Sequence, residues 1–222
     1  MRFTGRHFPK EVILTATRWY VRYKLSYRDV EELLAERGIK VDHSTLNRWV
    51  VKYAPLLAAQ ARRHKRGVGV SWRLDETYIK VRGQWKYLYR AVDKAGDTVD
   101  FLLTAKRDTK AAVRFLRQAI RNNGTPEKIN IDKSGANTAA IKAYNAETGS
   151  AIEIRQCKYP NNIVEQDHRS VKQKTQAALG FKAFHSAHAT LQGVELVQMI
   201  RKGQVRPVSN GSFIDQLNSL AA

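Results

Sequence analysis

The chain has 222 residues, 43% of them hydrophobic, which is enough to bury a core in one large domain or in a medium domain plus a small one. Lys and Arg number 39 against 20 Asp and Glu, a formal charge of +19, so the expected partner is a polyanion, and nucleic acid is the default one. No run of 18 apolar residues occurs, "MRFTGRHFPKEV" lacks a signal-peptide apolar segment, and one cysteine, Cys157, excludes an intramolecular disulfide; the expectation is a cytoplasmic nucleic-acid-binding protein with no membrane contact.

Three helical patterns come first. "PKEVILTATRWYVRYKL" starts with Pro9 in the first turn and repeats apolar residues to Tyr23. "SYRDVEELLAERG" places Ser26 three residues before Asp29 as a capping pair and stops at Gly38. "DHSTLNRWVVKYAP" follows closely, with Leu46, Trp49 and Val50 on its buried side. Two helices joined by a short turn, supported by a third, suggest a small all-α helix-turn-helix domain. Ser44, Thr45, Asn47 and Arg48 are its candidate readers of base edges. An ordinary three-helix scaffold fits the same pattern.

A basic run ending at Gly67 and Gly69 then gives way to β-branched and aromatic residues, which places a domain boundary near residue 62. "SWRLDETYIKVRG", "WKYLYRAVDKAG" and "DTVDFLLTAKRD" predict an antiparallel three-strand meander turned at Gly83 and Gly96. Next come a helix from Thr109 to Gly124, the strand "EKINID", the helix "NTAAIKAYNAETG" and the strand "AIEIRQCK". A last helix opens at Asn161 or Asn162. The order βββαβαβα predicts an α/β fold of the RNase H-like type, a mixed sheet with helices on both sides. The expected division is 1–62, 63–204 and a tail over 205–222.

Three carboxylates fall where element ends converge in such a sheet. Asp75 lies in the first strand, Asp132 at the exit of the fourth, and Glu165 in the first turn of the last helix. Clustered carboxylates repel one another unless they share a cation, so the arrangement implies a metal. Oxygen ligands suit Mg²⁺ or Mn²⁺, and two such ions roughly 4 Å apart serve an in-line phosphoryl transfer. Arg169, Lys172 and Gln176 share the helical strip of Glu165, and the two cations are candidate DNA contacts. Glu76 alternates to the opposite sheet face from Asp75 and is expected to be a decoy. Asp93, Asp97 and Asp100 are expected at the surface, and Asp167 in an ion pair with Arg or Lys. His168 is expected to be packed or hydrogen-bonded. His185, His188 and Cys157 match no strong zinc spacing.

"WRLDETYIKVRGQWKYLYRAVDKAG", "INIDKSGANTAAI", "KYPNNIVEQDHRSVKQKTQAALGFKAF" and "MIRKGQ" together resemble the short DDE transposases of bacterial insertion sequences. The resemblance is strongest to the single-gene group that moves by cointegrate formation, and it extends through the N-terminal helices, from about residue 3 to 204. It implies that Asp75, Asp132 and Glu165 form the metal-binding catalytic triad, with 56 and 32 residues between them. It also implies a basic residue seven positions after the glutamate, here Lys172, and no inserted domain before the last helix. Ile131 stands where the family more often has threonine. The implied activity is Mg²⁺-dependent cleavage at the element's terminal inverted repeats followed by strand transfer to target DNA. Double-stranded DNA would then be the partner, and one catalytic centre per end implies a dimer or larger homo-oligomer. A catalytically silent helix-turn-helix regulator and an RNase H-like junction nuclease are the alternatives.

Overall fold

The computed structural model describes residues 7–132, 135–156, 162–206 and 212–222, with the side chains at 162, 163, 165 and 166 outside that description. The chain divides into two compact units, residues 67–170 and residues 1–66 joined by 171–222.

In residues 67–170, β1 (Ser71–Val81), β2 (Gln84–Asp93) and β3 (Thr98–Thr104) form the expected meander. Arg82 and Gly83, at φ 50° and 74°, make the first turn. Both residues take positive φ, as the two-residue hairpin turn matching strand twist requires. Helix α4 (Thr109–Asn123) follows, then β4 (Lys128–Ile131), α5 (Gly135–Thr148), β5 (Glu153–Gln156) and the start of α6 (Asn162–Ala177). The sheet order is β3-β2-β1-β4-β5, with β1 antiparallel to β2 and parallel to β4. This is the RNase H-like arrangement predicted from the element order.

One sheet face carries Trp72, Leu74, Tyr89 and Ile129, packed with Phe115 and Leu116 of α4 and Ile141 of α5. The helix α4 is capped by Asp108, whose carboxylate accepts from the Ala111 amide, rather than by Thr109. It ends at Gly124, at φ 85°. Asp93, Asp97 and Asp100 are buried, contrary to expectation. Asp93 accepts from the amides of Gly69, Ala95 and Asp97, and Asp100 accepts from Asn122. These aspartates close the turn and the sheet edge, since buried backbone donors need acceptors that the tight chain reversal itself cannot supply.

The other unit is helical. Helix α1 (Lys10–Arg22), α2 (Tyr27–Ala35) and α3 (His43–Arg63) are joined by α7 (Phe184–Arg201) and α8 (Phe213–Leu220). Ser26 and Asp29 form the expected capping box. Leu46, Trp49 and Val50 are buried, and α3 continues through Pro55 to Arg63. Glu31 of α2 accepts from both the backbone amide (3.0 Å) and Nδ1 (3.1 Å) of His43, tying the two helices at their turn.

The compact units therefore differ from the division in chain order. Helix α7 packs against α1 and α3, and α8 packs on α3 and α7. Residues from Ala187 to Ile200 are buried on nearly every side of α7, and a helix apolar all round needs partners on all sides. At Gly193 α7 lies close against α1 and α3. A Cβ there would lie 2.5 Å from Val21 Cγ1 and 3.1 Å from Ala54 Cβ. Gly193→Val should destabilise the protein by about 3 kcal/mol or more, because overpacking against branched side chains outweighs the gain over glycine in a helix. A thermal midpoint unchanged by this substitution would show that the helices separate at little cost.

Lys174, on the last turn of α6, is buried in the helical unit. Its ammonium lies 3.3 Å from the centroid of Tyr20 and donates to the Leu25 carbonyl at 2.6 Å. Burial lowers its pKa to about 7, and Asp29 only partly opposes this. Between about pH 7 and the ordinary lysine value the unfolded chain holds the extra proton, so stability from this group rises with pH across that window. The thermal midpoint of Lys174→Met relative to wild type should therefore fall steadily from pH 7 to pH 9. A constant difference would contradict the lowered value.

Candidate metal centre

Strand register builds the site. Arg73 pairs with Asn130 in the parallel β1–β4 ladder, so two residues further on Asp75 and Asp132 stand level. Beyond Ile131 the strand β4 has ended. This is the end of an open α/β sheet where ligands sit.

Asp75, Glu76 and Asp132 each offer a carboxylate oxygen, and these oxygens lie within 4.8 Å of one another. Glu76, expected to be a decoy, thus has a carboxylate oxygen beside those of Asp75 and Asp132. Alternation does hold: Glu76 lies on the face of Leu74 and Asp75 on the opposite one. Asp132 follows the end of β4, and its carboxylate lies near both. The "Asp-Glu" dipeptide was the available sequence signal, and strand alternation alone argued against it.

The surroundings of the two β1 acids differ. Glu76 has a side chain only 4% exposed, accepts from Asn137 Nδ2 of α5 at 2.9 Å, and pairs with Arg107 at 3.3 Å. Burial pushes the Glu76 carboxyl up, Arg107 opposes the rise, and Asp132 and Asp75 add to it. The cluster thus carries concentrated negative charge in a partly dry place, which a shared cation would relieve. On the other face Asp75 lies opposite Arg90 in the β1–β2 register. His168 of α6 places Nδ1 3.6 Å from the Asp75 carboxylate. Asp167 pairs with the fully buried Arg90 at 2.5 Å, as the sequence suggested for some Arg or Lys.

An oxygen-only donor set at this spacing fits a hard divalent ion and not zinc. Glu165 lies within α6, three residues before His168, but its side chain is outside the described residues. The same holds for the helix cap expected at Asn161 or Asn162, and for Cys157. Arg169 and Lys172 are exposed along α6. In the helical unit Ser44 and Arg48 are exposed, while Thr45 and Asn47 are half-buried. Arg48 Nη2 donates to Thr45 Oγ1 at 2.8 Å, and both line a cavity with Phe8, Trp49 and Lys52. Asp42 caps α3 by accepting from the Ser44 amide. Among the described residues no helix is long and apolar enough to cross a membrane.

Residues 69–204 match a family described as a DDE domain. Over 216 residues, 95% of this chain and 93% of the relative, the sequence is 40% identical to the transposase for insertion sequence-like element IS431mec of Staphylococcus aureus. It is 39% identical, over the same shares, to the transposase for insertion sequence element IS257 in transposon Tn4003 of the same species. Among solved structures it is similar to the catalytic core domain of BIV integrase, with 17% identity and a TM-score of 0.45 over 65% of this chain and 88% of that one. Nearly full-length likeness to named transposases and an acid cluster at the sheet edge converge: the chain belongs to the insertion-sequence DDE transposases, metal-dependent polynucleotidyl transferases that act on DNA.

Proposed function

We propose that the protein cuts a DNA strand at each terminal inverted repeat of its element and joins the freed 3′-hydroxyl to target DNA, using Asp75, Asp132 and Glu165. The observation that carries this reading is the meeting of the Asp75 and Asp132 carboxylates at the end of β4. Glu165 is assigned from its position on α6, one turn before the histidine that approaches Asp75. The three acids would hold two Mg²⁺ (or Mn²⁺) ions. When bound, such ions polarise the scissile phosphate and lower the pKa of an attacking water.

The chain's own residues do the rest by positioning. His168 holds the Asp75 carboxylate from the α6 side, and Arg90 with Asp167 anchors that helix to the strand behind it. Lys172 and Arg169 bind phosphates flanking the scissile bond. In the first step a water oxygen attacks phosphorus, the P–O3′ bond breaks, and the departing 3′-oxygen takes up a proton. In the second, that 3′-hydroxyl attacks a target phosphate and displaces another 3′-oxygen. Neither step needs a covalent link to the protein. Ser44, Thr45, Asn47 and Arg48 would read base edges of the inverted repeats, with residues 1–62 as the DNA-binding part and 63–204 as the catalytic part. Two ends processed together require a dimer or larger assembly, working in the cytoplasm.

The test is to incubate the purified protein with labelled DNA carrying the inverted repeats that flank its gene, with Mg²⁺ or Mn²⁺. Nicking at the end and joining to a second duplex support the proposal. Binding without cleavage under either metal would leave a regulator, and preference for branched DNA over the ends a junction nuclease.

A further inference from the structure

We propose that the outer half of the β1–β2 ribbon is a stacking platform for unpaired nucleotides of the DNA strand held at the acid cluster, an inference that rests on the catalytic reading above. Alternation along β1 puts Glu76, Tyr78 and Lys80 on one sheet face, and their cross-strand partners there are Tyr89, Tyr87 and Trp85. Tyr89 is buried at the Glu76 end, but the ribbon then runs out uncovered. Tyr78 is 51% exposed and Trp85 60%. Their rings touch as a set: Tyr78 lies 5.3 Å from Tyr87 and 6.4 Å from Trp85, the latter edge to face at 77°. Lys80 Nζ stands 5.9 Å from the Trp85 ring.

Scattered exposed apolar residues need no explanation, but a contiguous aromatic patch does. Tyr87 packs against the core at the inner end, and the opposite face at the same level, Ile79, Val81 and Leu88, is buried, which leaves Tyr78 and Trp85 as the exposed rings. Charge selects the occupant. From Thr77 to Val92 the ribbon contains no acidic residue, while Lys80 stands on the face of the rings and Arg82 in the adjoining turn. An apolar protein partner would not call for that cationic frame, whereas phosphates would. Position selects it further: Tyr78 is two residues from Glu76 on the same face, about 7 Å along the strand, so the platform begins beside the acids. In duplex DNA each base face is already covered by its neighbours. Rings laid beside the scissile phosphate therefore suit nucleotides that have been unpaired there, and stacking tolerates any base.

The experiment measures binding of the full-length protein, without divalent metal, to an oligodeoxynucleotide duplex bearing an unpaired overhang that contains 2-aminopurine, beside the fully paired duplex. Tyr78→Ala and Trp85→Ala should each weaken overhang binding by roughly 5- to 100-fold and reduce the fluorescence change, leaving paired-duplex binding within about twofold. Trp85→Phe should retain most of the affinity. Equal loss for both DNAs, no loss for the overhang, or full function in Trp85→Leu would overturn stacking. Sedimentation of the variants covers the remaining occupant: dissociation of an oligomer on Trp85→Ala would assign the patch to a second copy and end the proposal. Because this readout needs no cleavage, a wild-type protein that stacks but never cuts would indict the catalytic assignment instead.

Discussion

Asp75→Asn and Asp132→Asn should each lower metal-dependent strand cleavage and joining by at least about 10³-fold while DNA binding stays within about twofold. Asparagine preserves shape and removes one negative charge from a set whose oxygens lie within 4.8 Å of one another. The loss is large because a neutral amide oxygen binds a hard divalent ion poorly and cannot offset the charge that develops on the phosphate. A readout independent of catalysis separates metal binding from a merely structural role. A ligand that binds only the folded protein raises its thermal midpoint in proportion to ln(1 + [L]/Kd). Wild type should therefore be stabilised by Mn²⁺, and each variant should lose that increment. Without metal Asp132→Asn should be no less stable than wild type, since it relieves repulsion with Asp75 and Glu76, whereas Asp75→Asn also gives up the contact with His168. Cleavage surviving both substitutions would place the chemistry elsewhere; a midpoint lowered by Asp132→Asn in the absence of metal would make that acid part of the framework.

Arg90→Met should destabilise the protein by about 3–5 kcal/mol, because it removes one member of a buried ion pair between β2 and α6. For a chain of this size that corresponds to a drop of roughly 10 °C in thermal midpoint. Arg90 is fully buried at the centre of β2, and its partner's side chain is 10% exposed. The pair joins α6 to the face of the sheet that bears Asp75, so catalytic activity should fall as well. Adding Asp167→Leu to Arg90→Met should restore much of the stability, since a well-packed apolar pair of similar volume matches a buried ion pair. It should not restore full activity if the pair fixes where α6 lies. Additive losses in this double-mutant cycle would show that the two side chains do not act together.

Local rules made most of the framework legible before any coordinates. The capping pair of Ser26 and Asp29, the stop at Gly38 and the buried Leu46, Trp49 and Val50 follow from near-neighbour chemistry, and the structure has each. The strand alternation and the turn at Gly83 likewise act over a few residues. The order of these elements sufficed for the RNase H-like sheet, because parallel β1–β4 pairing needs the right-handed crossover that α4 supplies. With the sheet order known, Asp75 and Asp132 had to be neighbours.

What the sequence could not decide were contacts set by where an element ends or by what lies across a fold. Glu76 reads as facing away from Asp75, and it does, yet carboxylate oxygens of both lie within 4.8 Å of one from Asp132, which follows the end of β4. Asp93, Asp97 and Asp100 read as surface residues, since nothing local reveals which turn amides will be buried. Position in the chain does not tell which helices α7 packs on; its buried surface is covered by α1, α3 and α8. Periodicity records which residues avoid water, a property of each segment by itself. Which partner excludes that water is a property of the assembled tertiary structure, and there the long-range contacts decide.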